Sequence, residues 1–208
     1  MADIADLTAI VGPPSKRASV VDWAAFEAET GLVFPDDYKA WAARYADIRL
    51  NGFLYVNRPE PGERRDAIAR LDQLRPLVEE WGTIDLVDDE GAETEAPPFP
   101  IYPEPGGVYP WGSTDNGDYL LWLTDPDPGR WTIVITNGAT WWHFQGSLLD
   151  FIVGVMSREV RCPLFPDDFP DGTDIQEYTP EDYERIRAEH GLGGSRQGAV
   201  RPSQGVAS

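Results

Sequence analysis

Tyr119-Leu-Leu-Trp-Leu-Thr-Asp-Pro-Asp-Pro-Gly129-Arg-Trp-Thr-Ile-Val-Ile-Thr-Asn137-Gly-Ala-Thr-Trp-Trp-His-Phe144 is the stretch that decides the fold. Aromatic and β-branched residues suit a pleated, half-buried surface, and here they crowd three short runs: Tyr119 to Thr124, Trp131 to Thr136 and Thr140 to Phe144. The residues between them are turn formers. Asp125 to Gly129 separates the first two runs, and Asn137-Gly138 reads as a two-residue hairpin joining the second and third. The stretch therefore predicts an antiparallel meander. Gly146 to Ser157 follows, with Leu148, Leu149, Phe151, Ile152 and Val155 at helical spacing and Ser147 placed to cap it, so a helix should pack back on that sheet.

Upstream the pattern is helical first. Val20 to Gly31 reads as a short helix with Ser19 as its cap, Asp22 completing an acidic capping box, and Gly31 at the stop. Phe34-Pro35-Asp36-Asp37-Tyr38 opens a second helix, with proline near its first turn and acids against the positive end of the helix dipole. Tyr38, Trp41, Ala42 and Tyr45 recur at i, i+3, i+4 and i+7, which is a core stripe. Together with Trp122, Trp131, Ile133 and Phe151 they are the expected core. After a polar break, Gly52 to Val56 reads as a strand ending at Asn57 to Pro61, and Glu63 to Trp81 as a helix kinked or divided at Pro76. Asp85 to Glu95, with six acids and no base, leads into the proline-rich Pro97 to Pro110, and both read as loop. Cys162 to Thr179 is rich in Pro, Asp, Phe and Gly, and Pro180 to His190 is a charged helix. The domain thus spans residues 1–190, with its core at about 20–158 and an extension at 159–190. Residues 191–208 lack core material and read as a disordered tail.

Composition narrows function. The chain has 208 residues and 41% hydrophobic content, enough for one substantial core. It carries 36 acids against 17 Lys and Arg, a formal charge of −19. Phosphate backbones repel such a surface, so direct nucleic-acid binding is not expected, and a basic protein partner is favoured. No window reaches the roughly 18 apolar residues of a membrane span, so no membrane insertion is expected. The N-terminus is acidic where a secretory signal is basic, and the one cysteine, Cys162, forms no internal disulfide; both point to the cytoplasm.

The search for chemistry returns little. Two histidines, His143 and His190, and one cysteine match no zinc spacing, and no loop resembles an EF-hand, so neither metal nor cofactor is expected. Gly-x-Ser-x-Gly and the phosphate-cradling glycine loop are absent, and no catalytic residue is assigned. His143 reads as an imidazole satisfied at the sheet edge. The polar turn Asp115-Asn116-Gly117-Asp118 serves equally as turn chemistry or as a ligand contact.

Three stretches taken together resemble the SUKH superfamily, which includes fungal cell-wall-synthesis regulators and bacterial immunity proteins. They are Gly31-Leu-Val-Phe-Pro35-Asp-Asp-Tyr38-Lys-Ala-Trp41, followed by Gly52-Phe-Leu54; Trp111-Gly-Ser-Thr-Asp115-Asn-Gly-Asp-Tyr119; and the meander closing on Trp142 with Ser147-Leu-Leu-Asp-Phe-Ile152. The resemblance covers about residues 20–158 and transfers no catalytic residue. It implies an α+β fold, an antiparallel or mixed sheet flanked by helices, and a role as adaptor or toxin inhibitor. The expectation is therefore a non-catalytic immunity protein that binds a basic toxin domain, possibly a nuclease. A regulatory adaptor for a cellular protein or peptide is the alternative, and an enzyme using carboxylates and His143 the third reading. Candidate partner-binding residues are the acids Asp88, Asp89, Glu90 and Glu93, with Asp85 and Glu95 beside them; the polar turn Asp115, Asn116 and Asp118; and Asp167, Asp168 and Asp171, with Asp174 following. Tyr109 and Trp111 are the expected exposed aromatic anchors.

Overall fold

In a computed structural model, residues 1–59 and 63–190 are described. The expected tail, residues 191–208, lies outside them, as do residues 60–62 at the end of the strand read at Gly52. The fold is α+β: one mixed sheet flanked by helices. The helices are α1 Ile4–Val11, α2 Trp23–Thr30, α3 Asp36–Arg44, α4 Glu63–Trp81, α5 Leu148–Met156 and α6 Pro180–His190. The strands are β1 Asp47–Leu50, β2 Leu54–Val56, β3 Ile84–Val87, β4 Glu93–Ala96, β5 Val108–Thr114, β6 Tyr119–Leu123, β7 Thr132–Thr136, β8 Thr140–Phe144 and β9 Ile175–Tyr178. Among the described residues their order is β4-β3-β8-β7-β6-β5-β2-β1-β9, antiparallel throughout except where β3 lies parallel to β8. That parallel step follows from connectivity, because α4 carries the chain from β2 over to β3, and a crossover helix returns a strand in the same direction.

The predicted meander is β6-β7-β8. Its second connection is longer than a two-residue hairpin. Thr136 and Trp141 are the last paired residues, and the Asn137 side chain accepts from the amides of Ala139 and Thr140, an Asx turn that widens the loop. The meander's Trp122 and the Trp131 just before β7 join Tyr109 of β5 in the core, with Phe34 lying 5.8, 5.4 and 5.7 Å from them, ring to ring. Every residue of the expected core is buried, from Tyr38 and Trp41 to Ile133 and Phe151.

Caps explain the helix limits. Ser147 and Asp150 form a reciprocal capping box that starts α5. Asp22, not Ser19, caps α2, so that helix begins at Trp23 instead of Val20. Ser19 is taken elsewhere: its hydroxyl and carbonyl accept from the guanidinium of the buried Arg58. Gly31 sits at φ 72, the left-handed stop that its position predicts. Pro76 lies inside α4 and does not divide it.

Four strands and one helix escape the sequence reading. The acidic segment from Asp85 to Glu95 is a β-hairpin, β3 and β4, and not a loop. The polar break before Gly52 contains β1, whose Ile48 and Leu50 are buried, and strand β2 starts only at Leu54. Burial also begins well before Val20. Helix α1 packs on α3 and α5, with Leu7 fully buried, while the Ala2 amide donates to Asp150 at 2.6 Å. The extension is integral too. Strand β9 pairs with β1 from Asp47↔Tyr178 to Leu50↔Ile175, and Phe165 and Cys162 are buried in the core. Burial pushes the Cys162 thiol up to about 12, so it holds no thiolate for chemistry at neutral pH.

The arm before α2 and the extension are clamped together by polar bonds. Glu177, 6% exposed, accepts from the amide of Ser15 at 2.5 Å and from its hydroxyl at 2.7 Å. Lys16 Nζ lies 2.5 Å from the Asp182 carboxylate, and that bond, together with the Thr179 amide, holds the Asp182 carboxyl well below the usual carboxylate range. A depressed folded pKa stabilises fully above the unfolded value of about 3.9 and stops doing so as pH falls toward the folded one. Thermal melts of wild type and Asp182→Asn should therefore differ at pH 7, with the gap starting to narrow only below about pH 4 and closing as the pH falls toward the folded pKa.

Candidate functional site

The acids of the β3–β4 hairpin are the part of the predicted surface that the structure gathers. β4 is an edge of the sheet, and its outer side meets no strand among the described residues. Asp85 stands directly opposite Glu95, and Val87 opposite Glu93, so Asp85, Glu93 and Glu95 share one face of the hairpin. Asp88 closes the turn by accepting from the amides of Glu90 and Ala92. Asp89 anchors the turn to the core, its Oδ1 accepting from the Trp142 indole at 2.9 Å. Asp85, Glu90, Glu93 and Glu95 are exposed and enter no ion pair with a described residue. The turn residues thus hold the hairpin's shape and leave the strand acids facing solvent.

The other predicted residues are not part of this surface. Tyr109 and Trp111 are corrections: at 3% and 2% exposure they belong to the core and cannot anchor a partner. Trp111 packs against Trp122 and Phe151 from β5. Its neighbour Gly112 explains the motif structurally, since a Cβ there would lie 2.2 Å from the Tyr55 carbonyl oxygen on β2. The turn Asp115 to Asp118 precedes β6, whereas the hairpin turn follows β3; β3 and β6 run the same way, so the two turns lie at opposite ends of the sheet. Asp118 is a second correction. It is 5% exposed, and Thr114 Oγ1 donates to it at 2.5 Å; burial pushes its carboxyl up while the Thr114 bond opposes.

Asp115 and Asn116 are exposed, and Asp115 is engaged. It accepts from Arg49 at 2.5 Å and from the Tyr55 hydroxyl at 2.9 Å. Burial and that bond push the Tyr55 phenol above its ordinary value, against the pull of Arg49, so it stays protonated and donating. Asp167, Asp168 and Asp171 lie in the loop leading to β9 and are exposed. Arg161 pairs with Asp167 at 2.5 Å, and Asn51 donates to Asp174, so this second run is partly spent on its own loop.

His143 lies on β8, an interior strand and not the sheet edge. Its Nε2 is 2.8 Å from the Thr132 hydroxyl, its ring stands edge-on to Phe99, and burial lowers its pKa, so it stays neutral at pH 7. Among the described residues no cluster of His, Cys, Asp and Glu is arranged to hold a metal ion, and no helix is long and apolar enough to cross a membrane.

The hairpin was readable as charge and not as structure. Its signal is alternation: in Glu93-Thr-Glu-Ala96 the acids fall at period two, which marks a strand with one charged face. No family model, no curated protein and no solved structure matches this chain, so its likeness to the SUKH superfamily rests on the three quoted stretches alone.

Proposed function

We propose that the protein is a non-catalytic binding module that acts in the cytoplasm and neutralises a basic toxin domain, such as a nuclease, by docking it on the β3–β4 hairpin. One observation carries this reading: Asp85 and Glu95 oppose each other across the hairpin. Like charges directly opposite on neighbouring strands weaken a sheet, so acids kept there serve something other than folding. A Lys- or Arg-rich partner relieves that repulsion on binding. The open edge of β4 offers main-chain groups beside the charges, and an overall charge of −19 steers a basic partner toward them. The SUKH resemblance implies the same kind of role.

The test has two readouts. Changing Asp85→Asn, Glu90→Gln, Glu93→Gln and Glu95→Gln together should leave the fold as stable or slightly more stable, because repulsion is removed. The same change should slow association with the partner roughly tenfold or more at low salt and flatten its salt dependence. The partner is captured from the host, identified, and expressed alone in a laboratory bacterium. Growth arrest relieved by wild type and poorly by the fourfold variant supports the proposal. A captured partner that leaves growth unaffected, or an association rate indifferent to salt and to all four changes, overturns it.

A further inference from the structure

The pairing of β3 with β4 decides which main-chain groups of β4 face outward. The Asp88 amide donates to the Ala92 carbonyl, and the register runs on through Val87↔Glu93, Leu86↔Thr94, Asp85↔Glu95 and Ile84↔Ala96. Hydrogen-bonded and non-hydrogen-bonded positions alternate in an antiparallel pair, so Ala92, Thr94 and Ala96 turn their N–H and C=O toward β3. Glu93 and Glu95 turn theirs to the open edge, where no strand lies among the described residues. We propose, on the reading that the hairpin is the docking surface, that this edge takes an added antiparallel strand from the partner, one with Lys or Arg at alternate positions.

Main chain and side chains select the same occupant. Side chains alternate along a strand, so the two residues that present outward N–H and C=O groups also put their carboxylates on one face. An added strand that bonds those groups places two of its residues, i and i+2, directly opposite the two glutamates, with paired Cα atoms about 5.5 Å apart. A cation at each position meets a carboxylate, and opposite charges paired across strands attract. Glu93 and Glu95 are exposed and enter no ion pair with a described residue, so both carboxylates are available. Asp85, on the same face of β3, adds to the negative field.

The same edge excludes other occupants. A second copy of β4 would bring glutamate against glutamate, and like charges directly opposite weaken a sheet. A helix keeps its main-chain groups bonded within itself and leaves the outward groups of β4 unmet. Pro97 and Pro98 follow β4, and neither has an N–H with which to extend the ladder. The added strand is therefore short, and its two basic residues are read by main chain and by charge together.

Peptides capped at both ends test this on the full chain. The first is Thr-Val-Lys-Thr-Lys-Val-Thr; the second, Thr-Val-Lys-Lys-Thr-Val-Thr, has the same charge and composition but points its lysines to opposite faces. The third is the first with both lysine amides N-methylated, which keeps the charge and blocks the ladder. Calorimetry should show the first binding about tenfold tighter than either of the others, the scale of one or two lost hydrogen bonds. Hydrogen exchange at the Glu93 and Glu95 amides should slow when it binds, while that of Thr94, already turned toward β3, should not change. Glu95→Pro removes an outward N–H and a charge, and Glu95→Gln the charge alone, so the proline variant should lose several-fold more affinity; an edge strand tolerates proline where its N–H faces out. The peptide comparisons on the wild-type chain hold whether or not the proline variant folds. A second or third peptide that binds as tightly as the first, exchange at Glu93 and Glu95 that does not slow, or no binding at millimolar peptide overturns strand addition. Undiminished toxin association by the fourfold acid variant overturns the docking surface itself, whatever the peptides show.

Discussion

Phe151→Ala should lower folding stability by about 3–5 kcal/mol, as aromatic truncations in closed cores do. Phe151 is fully buried on α5, and its ring lies 5.9 Å from Trp111, 6.1 Å from Trp142, 5.7 Å from Phe144 and 6.2 Å from Phe165. These neighbours come from β5, β8 and the extension, so the truncation opens a void that no single element can fill by moving. The midpoint in urea should fall, with little change in slope. Trp41→Ala, equally buried and stacked on Tyr38, should behave alike. An unchanged midpoint in either variant would show that the aromatic core is not what holds the sheet to its helices.

Deleting Met1 to Val11 is the second large effect. The sequence pattern begins its core near Val20 and gives Met1 to Val11 no packing role. The structure gives it one. Leu7 is fully buried, Val11 is 8% exposed, and full burial of such side chains is worth about 1.5–3 kcal/mol each. The deletion also strips Tyr45 of its hydrogen-bonded contact with Thr8, and Asp150 of the Ala2 amide. Burial acts to raise the Asp150 carboxyl, yet its hydrogen bonds, that from Ala2 first among them, hold it below its ordinary value. The shortened chain should lose roughly 3–6 kcal/mol on this count. Coincident melts of the two forms would return α1 to the status of an appendage.

The difference between these two cases shows what could be read from the sequence. Phe151 sits in a helix with a strong apolar stripe and a capping serine, and Trp41 in another, so local periodicity sufficed for both. Helix α1 has two buried residues, Leu7 and Val11, a spacing too sparse to stand out. Strands β1 and β9 are short and mix Asp47, Arg49, Gln176 and Glu177 with apolar residues, because part of each is satisfied by bonds to distant chain. Glu177 is buried only because Ser15 reaches it across the fold, and nothing local announces that. In the hairpin, composition pointed to a loop, whereas pairing with β8 overrode the weak strand preference of its acids. At Trp111 and Tyr109 the opposite holds: proline and glycine around them suggest an exposed turn, but the strand continues through a bulge between Pro110 and Gly112 and buries both rings.

The β1–β9 pairing has a consequence for synthesis. Leu50 must find Ile175, which leaves the ribosome 125 residues later. At roughly 5–20 residues per second, that is about 6–25 s during which β1 has an open edge. Among the described residues β9 is the last strand to be made, so truncated products of stalled translation would present the β1 edge to other chains. A host making this protein quickly therefore has reason to keep a chaperone at the exit tunnel until residue 178 has emerged.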